Sequence, residues 1–242
     1  MLHKTRGIVL HSFTYNDKYA ITQIYTEEFG KVSYLTAQSK GKRTRVPKSL
    51  FHALSVLDLE VEHKNLRDIQ RIKEAKVYLP LSSILFDPVK STVGIFLAEF
   101  ISRVTKDVQA NKNLFDFICQ SIRIFDLAEN GVANFHLVFM IRLSIFLGFY
   151  PQAERYMPDM FFDMQNGEFV RTKPFHPHFL NPGDSRVFLL LLRMNYENMH
   201  TFSFSGKQRT DIINRILEYY KLHLSDFPEM KSLEVLRDFF HD

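Results

Sequence analysis

The sequence has 242 residues, of which 45% are hydrophobic and 24% charged, enough to bury a sizeable core and longer than the commonest single domain. A single cysteine excludes an internal disulfide and a cysteine-based zinc site, and it gives no sign of an oxidising compartment. The N-terminus lacks an apolar signal region, and the longest apolar run, Leu137 to Phe149, is interrupted by Arg142 and Ser144. We therefore expect a cytoplasmic protein of two domains with no membrane partner.

Positive charge is concentrated in the first third of the chain. Residues 1–80 hold 14 Lys and Arg against 8 Asp and Glu, whereas residues 81–242 hold 17 against 19. This asymmetry predicts that the first part binds an anion, and nucleic acid is favoured over membrane because no basic amphipathic helix occurs there. A basic surface that is merely solvated is the alternative.

Short strands separated by turns account for the first eighty residues. The clearest pattern alternates Leu57, Leu59 and Val61 with acidic residues, as in a strand with one buried and one solvated face. Similar runs predict five strands, near residues 5–14, 19–26, 31–37, 52–63 and 68–77. With no helix long enough for a parallel crossover, the pattern predicts an antiparallel β-barrel of the OB-fold type over residues 1–80, with an SH3-like barrel as the rival.

Beyond Pro80 the apolar period becomes that of a helix, and we expect the domain boundary there. Apolar residues from Val93 to Val104 recur at i, i+3, i+4 and i+7, which is typical of an amphipathic helix. Further helices are predicted near residues 114–125, 135–149, 185–195, 207–224 and 233–240. The fold class is therefore α+β, with a helical domain over residues 81–242.

One segment of the helical domain lacks a helical period. Residues 151–183 contain five of the nine prolines and a weak hairpin signal, Phe161 to Val170, around Asn166-Gly167. We expect an irregular insertion without zinc ligands.

A cluster of cations between two predicted strands is the strongest functional signal. Five cations fall within nine residues that contain no acid: Lys40, Lys42, Arg43, Arg45 and Lys48. Such a loop neutralises phosphates and releases counterions, which gives affinity for DNA of any sequence. A solvated surface loop is the alternative.

The predicted strands carry further DNA-binding candidates. Lys4, Arg6 and Lys31 supply a second path for phosphates. Bases could stack on whichever aromatic side chains face outward, and Tyr34 is included in the candidate DNA site. The aromatic residues in question are Phe13, Tyr15, Tyr25 and Tyr34.

Signals for catalysis or metal binding are absent or weak. The chain has no glycine-rich phosphate loop, nucleophile elbow or zinc-protease motif, so no catalytic residue and no cofactor are expected. Cys119 lies in an apolar helical run, where a thiol keeps a high pKa. His176 and His178 have no partner at a recognised metal-ligand spacing and are expected to be surface residues. Arg142, inside an apolar helix, needs a structural partner or else binds an acidic partner protein.

Several short motifs together resemble the RecO family of bacterial DNA repair proteins. Lys4–Leu10, Thr26–Val32 and the basic cluster are similar, in order and spacing, to the N-terminal OB-fold of that family. Arg142-Leu143 followed by Leu147-Gly148-Phe149 is similar to its central helix. Its C-terminal signature resembles two segments, Tyr219–Leu224 and Lys231–Leu236. The likeness spans nearly the whole chain.

What the resemblance implies is a recombination mediator. Such a protein binds single- and double-stranded DNA, anneals complementary strands, and joins RecR to help RecA replace single-stranded DNA-binding protein. We also expect the helical domain to hold a pocket for the acidic, hydrophobic tail of single-stranded DNA-binding protein, with Arg142 as the cationic contact. Many members carry a four-cysteine zinc module where this chain has the cysteine-free segment Gln152–Gly183, so zinc is not carried over.

Two other classes remain open from the residues alone. One is a different OB-type module that binds RNA, and the other is a scaffold whose basic loop binds an acidic peptide. A measured, salt-sensitive preference for single-stranded DNA over RNA would separate this protein from the first, and affinity for an acidic tail without any DNA binding would favour the second.

The missing cysteines generate a prediction about metal content. We expect the purified protein to contain no stoichiometric zinc and to stay folded in strong chelator, because structural zinc contributes directly to folding wherever it is present. Elemental analysis and circular dichroism with and without chelator measure this. About one zinc per chain, or unfolding on chelation, would contradict it.

Overall fold

The computed structural model describes residues 1–37, 46–64, 66–106 and 109–241. These residues form two compact units. The first comprises Met1–Leu127 together with Glu229–Leu236, and the second comprises Ala128–Pro228 together with Arg237–Asp242. The expected domain boundary at Pro80 stays a prediction.

The first unit contains a closed barrel of five strands. The strands are β1 (Leu2–Thr14), β2 (Tyr19–Thr26), β3 (Gly30–Ala37), β4 (Val56–Glu62) and β5 (Ile69–Leu79). They follow the order β1-β2-β3-β5-β4 and close from β4 back to β1, so the expected OB-like barrel is confirmed. Strand β4 begins at Val56, later than expected, because residues 52–55 form a turn in which the Ser55 backbone nitrogen donates to the His52 oxygen at 3.1 Å.

The barrel closes through a short parallel pairing of β3 with β5, whereas the other pairings are antiparallel. The sequence-based expectation of a wholly antiparallel barrel is wrong at this seam. Strand β5 follows β4 as a hairpin partner, so it runs in the direction of β3 when the sheet curls round to meet it. Local sequence patterns carry no information about that long-range pairing.

Alternating apolar residues of the strands fill the barrel interior. Ile24, Tyr34, Leu57, Leu59 and Val61 are all buried there. The interior is tight at Gly7 on β1, where a Cβ atom would lie 2.6 Å from Ile24 Cγ2 and 2.8 Å from Leu59 Cδ1. Glycine is therefore required at this position by packing.

Two helices complete the first unit, α1 (Pro88–Val104) and α2 (Lys112–Leu127). Helix α1 begins at Asp87, whose carboxylate accepts a hydrogen bond from the Lys90 backbone nitrogen, with Pro88 in the first helical position. At the end of α2, the Asp126 carboxylate accepts backbone hydrogen bonds from Ser82, Ser83 and Ile84 at 2.8 to 3.0 Å. These bonds hold the segment between β5 and α1 against α2 and lower the pKa of Asp126 to about 2.

The second unit is built on α3 (Phe135–Leu147), α4 (Pro182–Arg193) and α5 (Gly206–His223); the last helix of the chain is α6 (Ser232–His241). Helix α3 is buried on nearly all sides, as its apolar sequence predicts, and ends at Gly148 in a left-handed conformation. The predicted helices are confirmed within a few residues at each end.

The segment expected to be irregular is partly a small sheet. It contains β6 (Phe161–Asp163), β7 (Glu168–Val170) and β8 (Phe179–Leu180), in the order β7-β6-β8. The weak hairpin signal is confirmed, since Phe161 pairs with Val170. Aromatic packing stabilises the sheet: the Phe162 ring lies 4.9 Å from that of Phe169 and 4.5 Å from that of Phe188, between centroids.

Among the helices of the described residues, none is both long enough and apolar enough to cross a bilayer.

The tight packing at Gly7 generates a stability prediction. Gly7→Ala should lower the free energy of unfolding by about 1 to 3 kcal/mol, because the added methyl group overlaps two buried side chains. Gly94→Ala is the matched control, since its Cβ atom would meet Ile84 and Leu54 at ordinary distances of 3.4 and 3.5 Å within a helix. That variant should be neutral or up to about 1 kcal/mol more stable. Urea unfolding measures both, and equal stabilities for the two variants would contradict the prediction.

Candidate nucleic-acid interface

Arg6 lies at the centre of an ion-pair network in the first unit. Its guanidinium donates two hydrogen bonds to the Glu27 carboxylate, both 2.8 Å, and one each to Asp116 and the Tyr78 hydroxyl, both 3.0 Å. The same group lies over the rings of Tyr78 and Phe115, 5.1 and 5.2 Å from their centroids. Arg6 thus joins β1, the turn after β2, β5 and α2, and its charge is engaged within the unit.

The network shifts the ionisation of its members. The bidentate bond to Arg6 lowers the pKa of Glu27 to about 2, with burial opposing the shift and Lys112 adding to it. Lys112 donates to Glu27 at 3.1 Å and to Asp116 at 2.8 Å, and these bonds raise its pKa. Two cations and two carboxylates therefore balance, so this part of the surface offers no excess charge to phosphate.

Lys4 lies on the same side of the barrel, in a depression with mixed charge. It pairs across the strands with Glu60, and the depression is lined by further acidic residues. The acidic side chains around it are Glu27, Asp58, Glu60 and Glu74. These carboxylates carry the same charge as a DNA phosphate and repel it at this distance. Lys4 is therefore left out of the proposed interface.

Two other candidates, Lys31 and Tyr34, are engaged in contacts within the first unit. The Lys31 ammonium donates to the backbone oxygen of Ser102 at 2.7 Å, where it supports the C-terminal end of α1. Tyr34 is fully buried in the barrel core, and burial raises the pKa of its hydroxyl above the ordinary range. Tyr25 is likewise buried, stacked on Phe115 of α2 with centroids 6.2 Å apart. None of these tyrosines offers a ring face to a base in this structure.

Most of the basic cluster lies outside the described residues, namely Lys40, Lys42, Arg43 and Arg45. Lys48 is described, and it is exposed in the 3₁₀ turn ahead of β4. The described part of the chain stops at Ala37, the last residue of β3, and resumes at Val46. These two residues mark where the intervening segment is attached.

The β1–β2 hairpin carries three exposed aromatic rings beside that attachment point. Phe13, Tyr15 and Tyr19 are 43%, 62% and 40% exposed. Tyr19 pairs directly with Ala37, the last described residue before the basic cluster. Sequence reasoning singled out Phe13 and Tyr15 but missed Tyr19, which begins β2 and gives no separate signal.

A row of directly paired positions crosses the sheet from this hairpin. Phe13 pairs with Ile21, Ile21 with Leu35, and Leu35 with the exposed Arg71. Because directly paired residues share a face, Phe13 and Arg71 lie on the same side of the sheet, although β1 and β5 are not neighbours in the closed barrel. Leu35, the partner of Arg71, lies two residues before Ala37, so Arg71 pairs close to the point where the basic cluster is attached.

In the second unit, the remaining candidates have structural contacts. Arg142 donates a hydrogen bond to the backbone oxygen of Met194, at the end of α4, over 3.3 Å. His176 Nε2 lies 3.3 Å from Asp163 Oδ1, and His178 Nδ1 lies 3.8 Å from Glu218 Oε1. No group of three or more possible metal ligands occurs among the residues that the structure describes. The role of Arg142 in binding a partner stays a prediction.

Cys119 belongs to α2 in the first unit. Burial raises the pKa of its thiol to about 12, so the thiolate is scarce near neutral pH.

Comparison with known proteins identifies the family. A family model described as Recombination protein O N terminal matches residues 1–80, and one described as Recombination protein O C terminal matches residues 85–156. Proteins named DNA repair protein RecO are 55% identical in Azobacteroides pseudotrichonymphae, 43% in Phocaeicola vulgatus and 35% in Porphyromonas gingivalis. Each alignment covers 99% of this chain and 100% of the relative. The chain therefore belongs to the RecO family of DNA repair and recombination proteins.

The Arg6–Glu27 pair generates a prediction about pH. The pKa of Glu27 lies below its ordinary 4.5 in the folded protein, so its contribution is complete above about pH 4.5 and is lost as the pH falls toward 2. Glu27→Gln should cost on the order of 2 kcal/mol at neutral pH and flatten the loss of stability on acidification. Urea unfolding at neutral pH and at about pH 3 measures the difference.

Glu28→Gln is the control, because Glu28 is exposed and adjacent in sequence. It should leave stability within about 0.5 kcal/mol of wild type. If Glu27→Gln matches wild type at neutral pH, the network does not stabilise the fold.

Proposed function

We propose that this protein is a non-enzymatic recombination mediator that binds single- and double-stranded DNA through its barrel and anneals complementary strands. The observation that carries the proposal is an exposed aromatic hairpin on an OB-like barrel, in which Tyr19 pairs with Ala37, the last described residue before the five cations clustered in the sequence. Cations supply sequence-independent affinity for phosphates, and aromatic rings supply contacts with unpaired bases. Membership of a DNA repair family supports DNA as the ligand.

The DNA-binding residues that we propose are not the same set as the one that the sequence predicts. Lys40, Lys42, Arg43, Arg45 and Lys48 carry the main phosphate contacts. Arg71 joins them, because it is exposed and pairs with Leu35, two residues before the last described residue ahead of the cluster. Arg6 and Lys31 are assigned to the fold, since their charges are engaged within the first unit.

The proposed partners follow from the family. RecR, RecA and single-stranded DNA-binding protein belong to the same repair process, which acts on chromosomal DNA in the cytoplasm. Arg142 is retained as the proposed contact for the acidic tail of single-stranded DNA-binding protein. Its guanidinium has five N–H donors, of which one is bonded to the Met194 oxygen, so a carboxylate could accept hydrogen bonds from others.

Neutralising the five clustered cations tests the proposal. The variant Lys40→Gln, Lys42→Gln, Arg43→Gln, Arg45→Gln, Lys48→Gln should bind single strands more weakly and with a shallower dependence on salt. For single strands, five phosphate contacts give a slope of roughly −3.5 in log affinity against log salt, or about a hundredfold loss over a fourfold increase in salt. Fluorescence anisotropy of labelled DNA across a salt series measures the slope.

A matched control removes the same charge elsewhere. Five exposed cations of the second unit are replaced by glutamine: Arg155, Arg186, Arg193, Lys207 and Lys221. This control should keep the wild-type slope. If both variants lose affinity equally, net charge alone is responsible; if the cluster variant keeps wild-type affinity and slope, DNA binds elsewhere. A wild-type protein that prefers RNA, or binds an acidic peptide and no DNA, would instead favour one of the rival functions.

A further inference from the structure

The β1–β2 hairpin carries three exposed aromatic rings on one short segment. Phe13, Tyr15 and Tyr19 are all at least 40% exposed, whereas Tyr25, Tyr34 and Phe51 are at most 8% exposed. Tyr78 of β5 is also exposed, but its ring and hydroxyl contact Arg6. Large aromatic side chains contribute most to stability when buried, so a group of them left in water on one short segment indicates a contact surface.

The hairpin is also held in a defined shape. The backbone nitrogens of Tyr15 and Asn16 both donate to the Tyr19 oxygen at 3.0 Å. The Asn16 side chain accepts hydrogen bonds from the backbone nitrogens of Lys18 and Tyr19 at 3.0 and 2.9 Å. The rings are therefore carried on a turn that is already ordered, so little conformational entropy is lost when a ligand binds.

The rest of the outer face near the hairpin is covered. Tyr25 is stacked against α2, and Gln23 accepts a hydrogen bond from Ser102 of α1 at 3.3 Å. The hairpin rings are exposed where these strand residues are not, and Phe13 stays 43% exposed although its ring stacks on His11 with centroids 5.9 Å apart. The barrel thus offers aromatic contacts at this end of β1 and β2.

The chemistry of the surroundings points to a nucleic acid as the occupant. Lys18 is exposed within the turn, and Tyr19 pairs with Ala37, the last described residue before the basic cluster. Aromatic rings with cations close to them in the sequence suit a ligand with flat apolar faces and a negatively charged backbone. An apolar protein partner would not require the cations.

We propose that Phe13, Tyr15 and Tyr19 form a stacking platform for unpaired bases, so that the protein binds single-stranded DNA more tightly than double-stranded DNA. This inference rests on the proposed DNA-binding function. Bases in a duplex are already stacked and paired, so only an unpaired strand can present them to the rings without paying for unpairing. The cations contact both kinds of DNA, whereas the rings distinguish between them.

The absence of tryptophan from the chain permits a direct test. Tyr15→Trp introduces a single tryptophan into a protein that otherwise has none. Its fluorescence should be strongly quenched by a single-stranded oligonucleotide and much less by a duplex of equal length at equal saturation. Phe175→Trp is the control, because Phe175 is fully exposed in the second unit, and its fluorescence should not change. Equal quenching by both DNAs at position 15, or none, would overturn the platform.

A second variant measures the energetic effect. Replacing Phe13, Tyr15 and Tyr19 by alanine should weaken single-strand binding by at least tenfold, since each stacked base is worth about 5- to 150-fold in affinity. Affinity for duplex should change less than threefold, and the salt slope should be unchanged. An unchanged ratio of single-strand to duplex affinity would refute the platform while leaving the DNA-binding function intact.

The two proposals fail in different ways. If wild-type protein binds neither form of DNA, the proposed function itself is wrong, and the platform falls with it. Should the triple variant fail to fold, as judged by thermal unfolding, the tryptophan reporter still decides the question in a folded protein.

Discussion

The bidentate bond between Arg6 and Glu27 is the interaction on which much of the first unit depends. It ties the first strand to the turn after the second, and through Tyr78 and Asp116 it reaches β5 and α2. Because a guanidinium is charged at any physiological pH, this junction requires its carboxylate partners to remain ionised. It also removes one of the most conspicuous N-terminal cations from the set available to DNA.

The packing of α1 and α2 divides the barrel surface into regions with different capacities. Lys31 supports the end of α1, and Tyr25 is covered by α2, so the middle of the outer face serves structure. The hairpin end stays exposed at Phe13, Tyr15 and Tyr19. In the function we propose, the cations attract any DNA backbone and the aromatic rings select unpaired bases.

In the cysteine-free insertion, aromatic packing and a hydrogen-bonded turn order a short segment that has no cysteine to bind a metal. Phe162 contacts Phe169, Phe188 and Tyr219, with centroids 4.5 to 5.8 Å apart. The Asp163 carboxylate accepts hydrogen bonds from the backbone nitrogens of Gln165 and Asn166 at 2.9 and 3.1 Å, which fixes the turn between the strands. Aromatic contacts and a side-chain-capped turn thus provide local order.

Period-two and helical apolar patterns are local properties, so the amino-acid sequence predicts the strands and the helices. Short motifs that keep their order and spacing indicate the family. The sequence also located the basic cluster. Tertiary structure alone decided which charged and aromatic residues were available: Arg6 and Tyr34 look like surface candidates in sequence, yet one is paired inside the unit and the other is buried. The parallel β3–β5 seam and the exposed position of Tyr19 were equally hidden. These properties depend on contacts between residues far apart in the chain, and a single sequence records composition and local period but not which distant surfaces meet.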